Sequence, residues 1–571
     1  MERWQCFSAL GRLKRVNNEI EKPKNSKKIM IKLSNKTFLG IVALFCAMLL
    51  LAACSSEEIT PTTPGGNASK VLTTFVAGTP ATNDTPTTSS SRRTSMDYTT
   101  GNFFWEEGDR IFVKDDNGQW QRSSNAVDAA HAHSAAFEFK VPGTFTASNT
   151  YKIYYAGKNG TNDQVSISTA QTQTSPNTTV HIGDAGDCGI ADATRRGTTN
   201  EFDFRLDHQA AVLVFQPYTT NAVLQRCTLT KIEVLAEDEV AGTYTLNPAT
   251  NSLTGNGNSK TIVLTTKGTG AHADGFLLTN TTPDRSLNGA YMVIKPGTHR
   301  LKVRFWLKDN VDNIEGTITK RFPSFNYAAN TYYDLSANLK LKEYGARDYS
   351  MWDAKEPYWS GHEWDSTDPW QPTMNGESHS GQPIPSDRLR WYADAGINKI
   401  APKTDRFKAT PNVNLMRWYA EKGNPHWDSD ELWFSMGHLR KGGLWLKKKA
   451  VIAAENSTTL AAMSAAAPDG TNYDVLTTDH PYQKNSIDKS VLSASETANY
   501  FYLPAAGDYI ASPSTVPAKL ESVGSSGYYW TSTSVGYYSY CLQFFTNNNG
   551  TVSLKIAKIS RTYGILPWPF E

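Results

Sequence analysis

Short β-rich runs separated by turn residues fill the sequence from Lys70 to Leu341, and no helical periodicity of useful length occurs before residue 345. Apolar residues that alternate or concentrate over such short runs are typical of strands. The clearest runs are KVLTTFVAG (70–78), RIFV (110–113), TYKIYYA (150–156), EFDFRL (201–206), AAVLVFQ (210–216), LTKIEVL (229–235) and TIVLT (261–265). In AYMVIKPGTHRLKVRFWL (290–307) a Pro-Gly-Thr turn separates two such runs, which predicts a hairpin. Because ~270 residues are too many for one ordinary sandwich, the sequence predicts a mainly β chain with tandem β-sandwich domains at residues 70–205 and 206–342.

An apolar run at residues 38–53 follows Lys32 and Lys36 and ends in Leu51-Ala52-Ala53-Cys54. Basic residues, an apolar run and small residues before a cysteine are the three parts of a bacterial lipoprotein signal. A membrane-spanning helix is the alternative. However, the run is nearer ~16 residues than the ~20 that a span needs, and it stops at a cysteine instead of a basic cluster. The sequence therefore predicts a signal peptide at residues 1–53, cleavage between Ala53 and Cys54, and lipidation of Cys54.

The segments on either side of this signal refine the prediction. Met30 gives a leader of ordinary length, so we interpret it as a better start than Met1. Residues 54–69 are a polar Thr, Pro, Gly and Ser tether with nothing to bury. Ser55-Ser56-Glu57-Glu58 is similar to the acidic tether that sends some Gram-negative lipoproteins to the outer face of the outer membrane. We therefore expect a lipid-anchored protein of the outer membrane, exposed at the cell surface.

The charge of the chain limits its possible binding partners, and its cysteine count limits its disulfide bonds. Residues 1–53 hold ten of the 57 Lys and Arg and three of the 55 Asp and Glu, which leaves 47 basic and 52 acidic side chains in residues 54–571. A net charge near −5 for that part argues against nucleic acid as a partner. Cys188, Cys227 and Cys541 remain beyond the predicted anchor, so one disulfide at most can form. The sequence leaves open whether Cys188 and Cys227 form it.

The order of motifs in residues 70–342 resembles the fimbrillin-like, or Mfa-like, family of lipoprotein pilins. The motifs are the lipobox, the first strand, a Ser/Thr-rich loop with RTS (93–95), FFWEEGDRIFV (103–113), FRLDHQAAVLVF (204–215) and the closing run AANTYYDLSANLKL (328–341). The resemblance implies transthyretin-like sandwiches and other fimbrial subunits as partners. It also implies assembly by strand exchange, in which a protease cuts at an arginine in the loop after the first strand. Arg92 and Arg93 lie in the matching loop, although an exposed basic pair in a polar loop is the simpler interpretation.

From residue 343 onward the composition changes, since 11 of the 15 tryptophans lie in residues 343–571. Helices are predicted at Asn412 to Glu421, at Ser429 to Gly442 and at Ser457 to Ala466, followed by strands, which indicates an α+β domain. YLPAAG (502–507), GYYWTST (527–533) and SRTYG (560–564) resemble the FISUMP, or major paralogous, domain of surface lipoproteins. Such domains are more distantly similar to the C-type lectin fold. The calcium-binding triplets of lectins and the cysteine pair of formylglycine-generating enzymes are absent here, so the resemblance implies no metal and no cofactor.

Four tryptophans at residues 349–370 are the candidate ligand-binding residues of this domain: Trp352, Trp359, Trp364 and Trp370. Tryptophans in a loop-rich stretch stack on sugar rings or fill a protein interface, and they also form the core of a domain poor in aliphatic residues. His362-Glu363 lacks the second histidine of a zinc protease, and His208 fits a structural histidine better than a metal ligand. Asp428, Asp430 and Glu431 are explained as caps of the predicted second helix.

Two functions follow from these patterns. The first is a fimbrial tip or accessory subunit whose C-terminal domain mediates adhesion to a glycan or protein on a host or bacterial surface. A strand inside a folded C-terminal domain cannot be donated to a neighbour, which favours a tip over a stalk position. The second is a cell-surface glycan-binding lipoprotein that does not polymerise. No nucleophile elbow, HExxH or phosphate loop is present, so the sequence does not predict an enzyme.

Overall fold

The computed structural model describes residues 72–78, 95–98, 102–392, 399–510 and 516–571, which belong to one compact unit spanning residues 70–571. Ala53, Cys54, Arg92 and Arg93 lie outside the described residues. Within the described ranges the protein is mainly β, as the sequence predicts. None of the helices in these ranges is both long and apolar enough to cross a bilayer.

Strands dominate the described residues up to 338, with two four-residue helices, α1 (Ile182–Ala185) and α2 (Arg285–Asn288). The strands are β1 (Leu72–Ala77), β2 (Ser95–Asp97), β3 (Asn102–Phe104), β4 (Phe112–Lys114), β5 (Trp120–Arg122), β6 (Phe137–Pro142), β7 (Thr150–Tyr155), β8 (Gln164–Ile167), β9 (Ala170–Thr172), β10 (Gly189–Arg195), β11 (Glu201–Phe204), β12 (Asp207–His208), β13 (Ala211–Tyr218), β14 (Thr228–Ala236), β15 (Gly242–Asn247), β16 (Ser252–Thr254), β17 (Thr261–Thr265), β18 (Phe276–Leu277), β19 (Ala290–Ile294), β20 (Gly297–Asp309), β21 (Ile314–Tyr327) and β22 (Thr331–Asn338).

The first sheet has the order β5-β4-β7-β10-β11-β1-β6, with β12 paired to β10. Its inward residues form an aromatic core in which the Trp105 ring meets Phe139 and Tyr155 edge to face, at 5.0 and 5.6 Å between ring centroids. The predicted strands in this region are confirmed, since alternation of apolar residues gives each strand one buried face.

A second core lies between the sheet β19-β13-β22 and a long sheet that contains β21-β20-β14-β17-β9. Phe215 in β13 and Phe305 in β20 meet edge to face at 6.0 Å. Residues 164–185 also contribute to this core, because β8 pairs with β15 and β9 pairs with β17. The chain therefore enters the second core, returns to the first sheet at β10 to β12, and then builds the rest of the second core.

The hairpin predicted at residues 290–307 is wrong. β19 pairs with β13, whereas β20 pairs with β14 and β21, so the two strands belong to different sheets. Pro296 and Gly297 end one strand and redirect the chain, but such a turn does not specify that the strands on its two sides pair with each other.

Residues 343–571 carry a third core and are called the head below. The helices of the head are α3 (Asp405–Lys408), α4 (Val413–Lys422), α5 (Lys449–Glu455) and α6 (Leu460–Ala465). Its strands are β23 (Ser378–His379), β24 (His426–Ser435), β25 (His438–Lys447), β26 (Tyr482–Lys484), β27 (Tyr500–Pro504), β28 (Asp508–Ile510), β29 (Ala518–Glu521), β30 (Ser526–Val535), β31 (Tyr538–Thr546) and β32 (Val552–Ser560). They form the sheets β26-β32-β31-β30, β23-β29-β28 and β27-β25-β24, and the last of these joins β21.

The first and third predicted helices of the head are confirmed. The Asn412 side chain accepts a hydrogen bond from Leu415 N and caps α4, and Thr459 caps α6 by accepting from Ala462 N. The predicted helix at residues 429–442 is wrong, because these residues form the β24–β25 hairpin. Its turn is Met436-Gly437, where both residues have positive φ, 50° and 78°, as a tight hairpin turn requires.

Candidate functional site

Strand β1 lies between two neighbours of the first sheet. It pairs in parallel with β11, from Thr74 opposite Glu201 to Ala77 opposite Phe204. It pairs antiparallel with β6 on its other side, from Leu72 opposite Pro142 to Ala77 opposite Phe137. Its removal would leave the backbone donors and acceptors of β6 and β11 facing an empty groove, which is a template for an added strand.

Alternating side chains fix β1 in this groove. Thr73, Phe75 and Ala77 point inward and are 1%, 0% and 2% exposed, while Leu72 is 48% exposed. The Phe75 ring stacks on Phe202 at 5.0 Å and meets Phe145 edge to face at 5.2 Å. The strand is therefore a fully packed member of the first core.

The segment after β1 contains the predicted cleavage residues. Gly78 N donates to Phe204 O at the end of β1, and the described chain resumes at Ser95, whose hydroxyl donates to the buried Glu106 carboxylate. The Gly78 end is thus held by the first sheet, and the Ser95 end is held by Glu106 and by the pairing of β2 with β3. Arg92 and Arg93 lie within it, outside the described residues, so cleavage there stays a prediction.

Two of the four candidate tryptophans are buried core residues, as the alternative interpretation of this stretch expects. Trp352 is 0% exposed, its Nε1 donates to Thr531 O at 2.9 Å, and the Arg561 guanidinium lies 4.7 Å from its ring centroid. Trp359 is 2% exposed and packs edge to face on Tyr509 at 5.5 Å. A ring with no exposed face cannot stack on an external sugar.

The other two tryptophans lie at the margin of the same core. Trp364 and Trp370 are half-buried and pack against the third core. The Trp370 ring is stacked on His362 and also lies parallel to His379, with centroid distances of 3.2 and 5.5 Å. Gly381 is required beneath it, since a Cβ there would collide with the ring. Two imidazole rings are stacked against this indole, so Trp370 supports the loop more than it offers a platform.

The cysteines and His208 are structural in the described chain. Cys188, Cys227 and Cys541 are buried free thiols, and burial raises the pKa of Cys227 and of Cys541 to about 12. Nδ1 of His208 lies 2.7 Å from the Asp187 carboxylate, with both side chains 2% exposed. Among the described residues no group of three or more His, Cys, Asp or Glu is placed to hold a metal ion.

Sequence reasoning missed a charged cluster at the junction of the second sandwich and the head. Arg304 in β20 is 3% exposed and lies 3.2 Å from Glu233, 3.3 Å from Asp428 and 3.7 Å from Asp430. The carboxylates of Asp428 and Asp430 belong to β24, so the predicted helix caps are instead partners of a sandwich arginine. The one available signal was Arg304 itself, a charged residue in an otherwise β-rich run.

Glu431 also connects the second sandwich to the head. Residue 431 pairs with Thr317 of β21 in a parallel bridge, and its carboxylate accepts hydrogen bonds from Thr319 N and from the hydroxyls of Thr317 and Thr319. Burial and the neighbouring Asp428 charge raise the pKa of Glu431 above its usual range. The sheet of the second sandwich therefore continues into the head through a polar contact.

Comparisons with known proteins gave structural likenesses only. No family model matches the chain, and no curated protein matches it. Among solved structures, a candidate cell adhesion protein of Bacteroides fragilis is 15% identical, covers 48% of this chain and 94% of its own, and has a TM-score of 0.28. A fimbrial assembly protein of Parabacteroides distasonis is 12% identical, and the match covers 47% of this chain and 91% of that protein, with a TM-score of 0.23. The fimbrial anchor protein Mfa2 of Porphyromonas gingivalis is 10% identical, and the match covers 47% of this chain and 91% of that protein, with a TM-score of 0.22.

Proposed function

We propose that this chain is a lipid-anchored surface lipoprotein of the fimbrillin-like type, which serves as a tip or accessory subunit of a fimbria and mediates adhesion through its head. The observation that carries the proposal is the position of β1 between β6 and β11, followed in the sequence by a segment with two arginines. Cleavage in that loop would separate β1 covalently from the sheet, and a strand from another subunit would then take its place.

The packing of the last residues favours a tip or accessory position over a stalk position. The Phe570 side chain is 3% exposed and packs on Tyr419, whose hydroxyl donates to Glu571 O at 3.0 Å. Residues 565–571 are thus bound into the head, and they cannot be handed to a neighbour without opening the third core. A stalk subunit needs a free strand to donate, which these residues do not provide.

An arginine-specific protease tests the assembly step. Supplied with a stalk subunit as strand donor, the wild-type protein should be cut after Arg92 or Arg93 and then accept the donor's strand, with the oligomers visible on a denaturing gel run without heating. The double variant Arg92→Ala/Arg93→Ala should stay intact and monomeric.

The second arginine pair of the chain offers a matched control. Arg196 forms ion pairs with Glu201 at 2.9 Å and with Asp203, so the Arg195-Arg196 turn is held against the sheet. Arg196→Ala should therefore leave cleavage and oligomer formation unchanged. Oligomers that form equally well from the Arg92/Arg93 variant would contradict the proposal.

A glycan-binding lipoprotein that never polymerises is the second candidate. The complete burial of Phe75 favours it, because β1 already fills its place in the first sheet without a strand from another subunit. Mass spectrometry of protein taken from the cell surface separates the two. An N-terminus just after Arg92 or Arg93 supports assembly, whereas an acylated Cys54 at the N-terminus of all the material supports the static protein.

A further inference from the structure

A cavity of about 110 Å³ lies where the second sandwich meets the head. Its wall includes Lys302 and Arg304 from β20, Asp428 and Asp430 from β24, and the rings of Trp427 and Trp445. With Lys489, which also lines it, the cavity combines three Lys or Arg cations, two carboxylates and two indole rings, a set that neither the hydrophobic cores nor strand exchange requires.

Lys302 is the least satisfied charge in this wall. Its side chain is almost completely buried, and its ammonium donates one hydrogen bond, to Leu492 O at 2.9 Å. Within the described chain no carboxylate lies within 4 Å of it. Burial lowers the pKa of Lys302 to about 8, so the group is still mainly protonated at neutral pH. An ammonium has three donors, and a buried charge is costly unless it is paired, so this position is suited to an anion.

Another part of the cavity wall is suited to hydroxyl groups. Asp430 is only loosely paired, at 3.7 Å from Arg304 and 3.9 Å from Lys441, and so has free acceptor capacity. Nε of Arg304 is buried and has no hydrogen-bond partner among the described residues. Lys302 and Arg304 are two residues apart on one face of a strand, a spacing of about 7 Å, which is comparable to the length of one sugar ring.

The half-buried Trp445 favours a sugar over a simple acid, whereas Trp427 is mainly a residue of the third core. Trp427 is 7% exposed and Trp445 is half-buried, and Trp445 Nε1 lies 3.4 Å from Asp428 Oδ2. Indole rings next to hydrogen-bonding carboxylates match the alternating apolar and hydroxyl faces of a pyranose. A dry apolar cavity of about 150 Å³ is large enough for benzene. The junction cavity, at about 110 Å³, therefore has room for the charged end of one sugar residue, and the rest of the glycan chain would lie outside it.

We propose that this junction cavity binds the carboxylate end of an acidic sugar residue, such as a uronic or sialic acid at a glycan terminus, with its carboxylate on Lys302 and its hydroxyls on Asp430. This proposal rests on the proposed function in one respect: it takes a glycan as the target to which the head adheres. It does not depend on strand exchange, so oligomer formation and sugar binding can fail separately.

Calorimetric titration of the full-length protein with glucuronate, N-acetylneuraminate, glucose and acetate tests the site. We expect saturable binding of at least one acidic sugar, no binding of glucose, and acetate at least tenfold weaker than that sugar. Lys302→Met should weaken binding at least tenfold. Lys320→Met is the matched control, since Lys320 is a half-buried lysine of the adjacent strand β21 that does not line the cavity, and it should bind like wild type.

Three results would overturn the assignment: no binding of either acidic sugar, equal binding by Lys302→Met, or acetate binding as tightly as the acidic sugar. Lys302→Met is expected to fold because it removes a buried charge, and circular dichroism checks this. Lys302→Gln, which keeps a polar side chain of similar length without the charge, gives the same comparison and should lose binding too.

Discussion

At the scale of single residues, Asp508 in the head is the group most at odds with its surroundings. It is 1% exposed, neither carboxylate oxygen has a hydrogen-bond partner among the described residues, and burial together with the Glu521 charge raises its pKa to about 7. The folded state therefore keeps a proton that the unfolded chain loses near pH 4. Stability should fall by about 1.4 kcal/mol per unit as the pH rises from 4 to 7, and then level off. We expect Asp508→Asn to raise the melting temperature at pH 7.5 and to flatten this slope, as thermal unfolding followed by circular dichroism would show.

A control for this prediction lies directly across the strand pair. Glu521 is opposite Asp508 in the register of β28 and β29, and its side chain is partly exposed. Glu521→Gln removes the like charge and an exposed ion pair with Lys519 that contributes about 0–1 kcal/mol, so it should stabilise the protein at pH 7.5 in the same direction but by less. If Asp508→Asn is less stable than wild type by the same amount at pH 4.5 and at pH 7.5, the carboxylate has a stabilising partner and the prediction is wrong.

The candidate tryptophans show what a sequence reveals about a site at this scale. Their number indicated a separate third core, and that core exists. Composition could not say which indoles keep an exposed face. The groups that bury Trp352 are distant in sequence: the Thr531 carbonyl is in β30 and the Arg561 guanidinium follows β32. The junction charges were hidden for the same reason, since Arg304 and Asp428 meet only once the sheet is complete.

At the scale of elements, β1 should behave as part of the first core. Phe75→Ala leaves a cavity between Phe145 and Phe202 and should destabilise the protein by about 3–5 kcal/mol. Leu72→Ala changes an exposed side chain of the same strand and should stay within about 0.5 kcal/mol of wild type. Urea unfolding followed by tryptophan fluorescence measures both, and similar midpoints for the two variants would mean that β1 does not occupy the groove.

Strand positions were predictable from the sequence because alternating or concentrated apolar residues are a local signal, and β7, β11, β13, β14 and β17 all lie where these patterns place them. Pairing partners were not predictable, since they depend on contacts between distant runs, as the separation of β19 from β20 shows. The β24–β25 hairpin was mistaken for a helix because Ser-Asp-Glu imitates a helix start and because Met436-Gly437 is an unusual turn pair.

At the scale of the whole molecule, the contacts between the head and the second sandwich determine whether these two parts unfold in a single transition. Arg304 is buried against Glu233 and Asp428, and breaking a buried ion pair from one side costs about 3–5 kcal/mol because the remaining carboxylates are uncompensated. We expect wild-type protein to give one calorimetric transition for these two parts and Arg304→Met to give two, with the head separating first as the shared sheet opens at Thr317 and Glu431. Lys441→Ala removes a more exposed partner of Asp430 and should leave a single transition, since exposed pairs contribute about 0–1 kcal/mol. A single transition in Arg304→Met would mean that the strand bridge and its threonine hydrogen bonds hold the head without the arginine.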